Sequence, residues 1–593
     1  MKAKIQAKVP AVYRYSTLLV IVIPALLYIS ALRLGFVYFD DDILVLSNYE
    51  KISHLSNLGR AFHSDAFFAN LSPYYRPFQN VSLMFDAAFG GKAPLFYHLS
   101  NIGYHVLSCV SLLWLLGLLG FSKPKSLVAT LIFAVHPVMG HAVLWIPARG
   151  DLLVTLFGIL SCSFFIRFLK EGKMYYLALQ VVCLAGAMFS KESAVLLPFL
   201  FLFYLVLTKQ KLFNTGKLIM YASWGAVMVF WYYLRYISID HRNDSQVGVH
   251  AILKNIPFIP EIVARVLFPF DLPVTPVFTP AYTFAGIIGI ILIIVFMLTR
   301  KGEKNVPLIL FGAIWFLGFC FPNMFVRLNS ADDNFEYLLH RTYLPMVGFL
   351  IMFLSAAPEK WFNLQRRLNN IVIGSFLLLL SVFSIYQQGK YLDGPSYWGS
   401  AIRYMPEKSW FHYYMGRYYF KQKDNVRFEQ CLNEAERHKS YAEFKYQLGM
   451  IYFADRKSYD TAYRYFSQAF KQGYGDPEGR ANFIALCLES SADYFQKGEY
   501  GKAVKRCEEA LNNDPGNADA AYNLGIYLVN NGEKQRAASM WMRAIRLKPD
   551  QTRAYRSLSL YYRYDAKKAD SADWYAREYN KHGGKENLIS FEK

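Results

Sequence analysis

The chain has 593 residues, 54% of them hydrophobic and 17% aromatic, with a formal charge of +20. That length exceeds a single domain, and that apolar content excludes an ordinary soluble enzyme. Residues 395–593 hold 32 Lys/Arg against 25 Asp/Glu, so most of the positive excess sits in short loops of the apolar part, which excludes a nucleic-acid-binding face and fits a membrane protein.

Lys2, Lys4, Lys8 and Arg14 precede the first apolar run, 16–34. No small-x-small cleavage site follows, so the run is expected to be a retained helix. Gly35-Phe36-Val37-Tyr38-Phe39-Asp40-Asp41-Asp42 then opens a polar loop over 35–98. Three adjacent carboxylates at a membrane surface repel one another and lose hydration, which points to acid–base use. The same cluster also reads as a loop cap, and both readings stand. The loop continues with His63, Asp65, Tyr74-Tyr75-Arg76 and the stretch Val81–Phe89, whose apolar pattern suits an interfacial helix.

Apolar segments able or nearly able to cross a bilayer fall at 16–34, 99–120, 126–146, 152–169, 174–189, 194–208, 218–238, 283–299, 306–322, 342–357 and 369–386, which makes about eleven spans. With a cytoplasmic N-terminus, the inner loops 121–125, 170–173, 209–217, 300–305 and 358–368 all carry Lys or Arg, Lys301 among them. The outer loops are then 35–98, 147–151, 190–193, 239–282 and 323–341, and the C-terminus lies outside. Arg76, Arg149, Asp151, Lys191, Glu192, His340 and Arg341 gather in or beside these outer loops.

His98, Asn101 and His105 lie at i, i+3 and i+7 on one face of the second span, where they face the bundle interior and bind either substrate or neighbouring helices. His136 and His141 flank a proline kink at Pro137 and form a candidate metal pair. Cys109, Cys162, Cys183 and Cys320 fall in apolar runs. Cys431, Cys487 and Cys507 lie in the polar tail, where a Cys487–Cys507 bridge is one option.

From about 395 the composition changes and a 34-residue period appears: Ala503, Ala510 and Pro515 recur as Ala537, Ala544 and Pro549. With Leu524-Gly525 and Trp541 this is the tetratricopeptide (TPR) pattern, expected in about five repeats, with looser copies at Met415-Gly416 with Ala435, at Leu448-Gly449, and over 552–585. Such arrays bind proteins along a concave face. The expected architecture is all-α: a polytopic membrane bundle over 1–394, then a soluble TPR α-solenoid over 395–593.

The order Phe36-Val37-x-x-Asp40-Asp41, Tyr75-Arg76-Pro77, His98-x-x-Asn101-x-x-x-His105, Phe133-Ala134-Val135-His136-Pro137, Ala148-Arg149-Gly150-Asp151-Leu152, Ser190-Lys191-Glu192 and Arg341-x-Tyr343-Leu344-Pro345, followed by TPR repeats, resembles the transmembrane-and-TPR protein O-mannosyltransferases and their bacterial relatives of the GT-C class. The resemblance implies a glycosyltransferase that takes sugar from a polyprenyl-phosphate carrier and delivers it to Ser or Thr of an exported protein. Asp40 is then the preferred base, Asp41 its competitor, and Asp42 need not be acidic. Arg76, Arg149, Lys191 and Arg341 are candidates for the donor phosphate, with His98, Asn101, His105, His136, His141, Asp151, Glu192 and His340 as supporting polar groups.

Met139 and His141 stand where the family often has a histidine and a glutamate, and His340 where it commonly has glutamate, so mannose is only one candidate sugar. No cofactor is fixed by the sequence, and a divalent metal is an open option. Two other readings stand beside this one: en bloc transfer of a diphosphate-linked glycan, and a non-enzymatic TPR scaffold for envelope or pilus components. The expected location is a bacterial inner membrane with the site and repeats facing the periplasm, or an endoplasmic reticulum membrane with a lumenal tail.

Overall fold

The computed structural model describes residues 15–68, 72–239, 251–300, 302, 304–325, 337–454, 457–586 and 588. Lys2, Lys4, Lys8, Arg14 and Lys301, and the stretches 240–250 and 326–336 of two expected outer loops, lie outside the described residues. The chain divides into two compact units, Met1–Phe428 and Glu429–Lys593. No strand occurs among the described residues.

In the first unit the helices of eight or more residues are α1 (Ser16–Leu27), α2 (Pro77–Gly90), α3 (Pro94–Leu118), α4 (Lys123–Val135), α5 (Pro137–Leu144), α6 (Arg149–Glu171), α7 (Met174–Ser190), α8 (Leu197–Leu207), α9 (Thr215–Ser238), α10 (Phe258–Leu267), α11 (Pro280–Thr299), α12 (Val306–Cys320), α13 (Tyr343–Ala356), α14 (Arg367–Gln388), α15 (Gly394–Tyr404) and α16 (Ser409–Lys421). Local chemistry sets their starts. Proline stands in the first turn of α2, α3, α4, α5, α11 and α12, where its missing N–H is not needed. Asn214, Thr279, Asn305 and Asp393 accept a first-turn amide with their side chains.

All eleven apolar segments are helical. Among the described residues seven helices are long and apolar enough to cross a membrane, and an eighth counts if the bent pair α4–α5 is one span. The break is at His136-Pro137, where the residue before proline is pushed to extended backbone and the axis turns by 56°. Of the other three segments, α7 and α8 are shorter, and α9 has the length but carries Lys217 and Arg235.

Burial sorts the spans. The α13 span is 83% buried and the α6 span 72%, whereas those of α11 and α14 are 11% buried and present apolar side chains outward. At the centre α12 and α13 touch backbone to backbone: a Cβ on Gly312 would lie 2.6 Å from the Gly348 carbonyl oxygen, and one on Gly348 would meet the Gly312 oxygen at 2.6 Å. Trp315 beside this crossing donates its indole N–H to the Leu344 carbonyl at 3.0 Å.

The first polar loop is a folded element rather than a tether. Phe36, Leu44, Val45, Ile52, Leu83 and Met84 form a core of its own together with Tyr97 of α3. The expected interfacial helix is α2, which buries Leu83, Met84 and Ala87 and leaves Phe85 and Phe89 exposed.

The second unit holds four complete helix pairs: Ala442–Ala454 with Tyr459–Lys471, Pro477–Gln496 with Tyr500–Asn513, Ala518–Asn530 with Lys534–Leu547, and Thr552–Leu560 with Ala569–Lys581. The repeated small residues Ala503, Ala510, Ala537 and Ala544 are buried where helices approach. The expected first repeat corresponds to α16 and Asn425–His438. Helices α15 and α16, placed with the repeats by the sequence boundary at 394, pack in the first unit. Cys487 and Cys507 are free thiols, so the bridge is not formed; the Cys507 Sγ instead faces the Ala520 carbonyl at 3.3 Å.

Candidate active site on the first polar loop

Tyr38 takes the left-handed conformation, φ 57°, a costly state for a residue with a Cβ. This kink turns two amides onto one carboxylate: Val37 N–H donates to Asp41 at 2.7 Å and Phe39 N–H at 2.9 Å. Asp41 therefore builds the turn. Asp42 is taken up differently, accepting from Arg417 Nη2 at 2.8 Å and lying 3.4 Å from Lys421 Nζ. Asp40 is the one carboxylate of the three with no hydrogen-bond or ion-pair partner among the described residues. It is half-buried, and burial pushes its carboxyl up to about 6 despite the nearby Arg76, Arg417 and Arg341. Burial raises Asp41 too, to about 7, against the two amides that favour its charged form.

The cations around Asp40 also divide. Arg76 is gripped by Glu192, its Nε 3.1 and 3.2 Å from the two carboxylate oxygens and its Nη2 3.1 Å from one of them, with its guanidinium over the Tyr74 ring at 4.5 Å. Glu192 also accepts the Tyr75 amide at 3.1 Å, tying the loop to the turn between α7 and α8. Lys191 donates to both oxygens of Asp151 at 2.7 and 2.6 Å. His340 lies 3.7 Å from Asp151 Oδ2. Arg341, half-buried, has no carboxylate or hydrogen-bond acceptor within reach among the described residues, although it lies close enough to act on the charges of Asp40 and Lys191. A row of rings sets this proximity: Phe39 stacks on Trp145 at 5.6 Å, and Trp145 packs on His340 at 5.0 Å.

Arg149 does not join them. It is fully buried, with Nε on Asn101 Oδ1 at 2.8 Å, Nη2 on the Tyr97 carbonyl at 2.6 Å and Nη1 in a close ion pair with Asp86. The guanidinium expected at a donor phosphate is thus taken up by these three partners. The polar stripe on α3 faces inward, and Asn101 and His105 bond to neighbours. Asn101 holds Arg149 and reaches the Val143 carbonyl at 3.3 Å, His105 sits between Tyr343 Oη at 2.6 Å and the Ala134 carbonyl at 3.0 Å, and His98 is buried against the Gly35 backbone.

The two histidines of the candidate metal pair have partners of their own. His136 uses both ring nitrogens, one accepting the Val138 amide at 3.3 Å and the other 3.0 Å from the Val266 carbonyl, while His141 Nδ1 meets Tyr391 Oη at 2.6 Å. No group of three His, Cys, Asp or Glu able to hold a metal ion occurs among the described residues. Sequence reasoning missed Asp86, Trp145 and Arg417. Asp86 was findable as the lone acid in the apolar stretch of α2; Arg417 gave no signal, being one more cation in a basic helix.

Gly150 lets the two halves of the site meet. A Cβ there would lie 2.7 Å from Gln79 Oε1 and 3.2 Å from the Ser190 carbonyl, beside the Arg76 side chain. Gly150→Ala is expected to destabilise the protein by about 1–3 kcal/mol through this overpacking, read as a lowered melting midpoint in detergent.

Residues 104–234 match the family model described as dolichyl-phosphate-mannose-protein mannosyltransferase, and residues 494–559 match a tetratricopeptide repeat. The matched stretch runs from within α3 to within α9. Among curated relatives, protein O-mannosyl-transferase Tmtc1 of Drosophila melanogaster is 29% identical over 178 residues, 28% of this chain and 20% of its own length. Protein O-mannosyl-transferase TMTC4 of Homo sapiens is 31% identical over 185 residues, 26% of this chain and 25% of its own. The chain spans a quarter or less of the length of these relatives. A solved structure, the crystal structure of MamA, is similar at a TM-score of 0.22 and 20% identity, over 28% of this chain and 93% of that one. The matched stretch contains Arg149, Asp151, Lys191 and Glu192, whereas Asp40, Arg76 and Arg341 lie outside it.

Proposed function

We propose that this protein is a membrane glycosyltransferase moving a sugar from a polyprenyl-phosphate carrier to a Ser or Thr hydroxyl of an exported protein. The observation that carries the reading is the nearness of two groups without a partner among the described residues, the Asp40 carboxylate and the Arg341 guanidinium, in a site where Arg76 and Lys191 have carboxylate partners. A donor phosphate supplies the charge that Arg341 lacks, and arginine suits it by bidentate geometry. Arg76 and Lys191 add positive potential from behind.

Asp40, with its raised proton affinity, is a stronger base than an ordinary carboxylate and is deprotonated at neutral pH. It takes the proton of the acceptor hydroxyl as that oxygen attacks the anomeric carbon. The carbon–oxygen bond to phosphate breaks with inversion, and polyprenyl phosphate leaves with its charge held by Arg341. The basic inner loops support an outward-facing site, on the periplasmic side of a bacterial inner membrane or its lumenal equivalent. The TPR array supplies the protein-binding face for the acceptor.

The test is turnover of the purified protein in nanodiscs with a panel of polyprenyl-phosphate sugars, followed as released polyprenyl phosphate. Arg341→Ala is expected to raise the KM for the donor about 10–100-fold, the loss of one or two charge-assisted hydrogen bonds. An unchanged KM would remove Arg341 from the donor site, and turnover only with diphosphate-linked glycans would replace the proposed donor.

A further inference from the structure

Helix α16 packs directly on the acidic motif. Arg417 Nη2 donates to Asp42 at 2.8 Å, Gln422 Nε2 donates to Tyr38 Oη at 3.2 Å, and the Tyr418 ring meets Tyr38 edge-on at 5.2 Å. Just upstream, Trp398 of α15 donates its indole N–H to the Val37 carbonyl at 3.0 Å, and the Leu392 carbonyl accepts the Gly35 amide at 2.8 Å. Gly35, Val37, Tyr38 and Asp42 are thus each gripped by residues 392–422. A left-handed tyrosine persists only where its surroundings over-determine it, and here they do. Asp42 is 2% exposed, so without Arg417 at 2.8 Å and the more distant Lys421 at 3.4 Å its carboxylate would be a buried unpaired charge.

Resting on the glycosyltransferase reading above, we infer that Arg417 is a positioning residue of the active site: through Asp42 it holds the Tyr38 kink that presents Asp40 to the acceptor hydroxyl. Helix α16 is then part of the catalytic centre, although its sequence reads as the start of the repeats. The charged and titratable groups facing Asp40 are Arg76 ahead of α2, Arg341 ahead of α13, Arg417 of α16, the Tyr397 phenol of α15, and the adjacent Asp41 and Asp42. Removing Arg417 withdraws one of three cations that favour the charged form of Asp40, so the acid limb of the pH–rate profile moves to higher pH.

The experiment compares the full chain in nanodiscs with Arg417→Gln, Arg417→Lys and Asp42→Ala. Amide hydrogen exchange over residues 36–42 is expected to rise about tenfold in Arg417→Gln and Asp42→Ala, with most protection kept in Arg417→Lys. The kcat is expected to fall about 10–100-fold, with KM for the polyprenyl-phosphate donor changed by less than about threefold. Exchange equal to wild type in Arg417→Gln, or in Asp42→Ala should the first variant not fold, overturns the inference; so does an unchanged kcat and acid limb. If the wild type transfers no sugar, the glycosyltransferase reading fails by itself, and the exchange of the loop still decides whether Arg417 holds it.

Discussion

Asp40→Asn is expected to lower sugar transfer by about 10³-fold while the protein still folds, since a positioned general base contributes on the order of 10²–10⁴ in rate. Of the three aspartates, Asp40 alone lacks a structural partner among the described residues, so its loss leaves the Asp41 clasp and the Asp42 ion pair in place. The wild-type rate should fall as pH drops through about 6, the value to which burial pushes this carboxyl, and the limb should vanish from the residual activity of Asp40→Asn. The sign for stability is opposite. A folded pKa raised from 3.8 to about 6 means the folded state prefers the protonated acid, so this group's contribution to stability declines as pH rises through that window. Asp40→Asn should therefore melt no lower than wild type at pH 7. Full activity in the folded variant would remove Asp40 from the mechanism.

The second large effect is on the fold. Arg149→Ala leaves the Asp86 carboxylate buried without its cation and strips partners from Asn101 and the Tyr97 carbonyl. Breaking a buried pair from one side costs about 3–5 kcal/mol, whereas replacing both partners with apolar groups of similar volume is close to neutral. The double variant Arg149→Met/Asp86→Leu is expected to recover most of the stability lost in the single one, read as melting midpoints in detergent. A single variant as stable as wild type would show that Arg149 does not hold α6 to α2 and α3.

Apolar length made the helices of the bundle legible, though eleven spans were expected and seven or eight are long and apolar enough among the described residues, and the 34-residue period made the repeats legible, because both depend on sequence-local spacing. The acidic motif was legible as a place but not as three separate roles. What divides Asp40, Asp41 and Asp42 is a left-handed residue at Tyr38 and a cation 375 positions away in the chain, neither of which has a local signature. The Arg149-Gly150-Asp151 motif shows the same limit. Residues two apart on a helix point roughly 200° apart, so Arg149 turns inward to Asp86 while Asp151 turns to Lys191. Adjacency in sequence groups the two residues, and the helix that carries them sends them to different partners. The histidines followed burial instead. His105 and His136 each set one ring nitrogen on a backbone carbonyl inside the bundle and the other on a hydroxyl or an amide, a common use of histidine that sequence does not distinguish from ligation.

The contact of α12 with α13 at Gly312 and Gly348 bears on how Arg341 is held. A Cβ at either glycine would meet the facing backbone, so the two helices are pressed together there, and Arg341 is mounted just before the first residue of α13. On the proposed reading, a donor phosphate held by Arg341 is placed by this crossing, so two glycines remote from the chemistry are expected to influence which lipid-linked sugars reach Asp40.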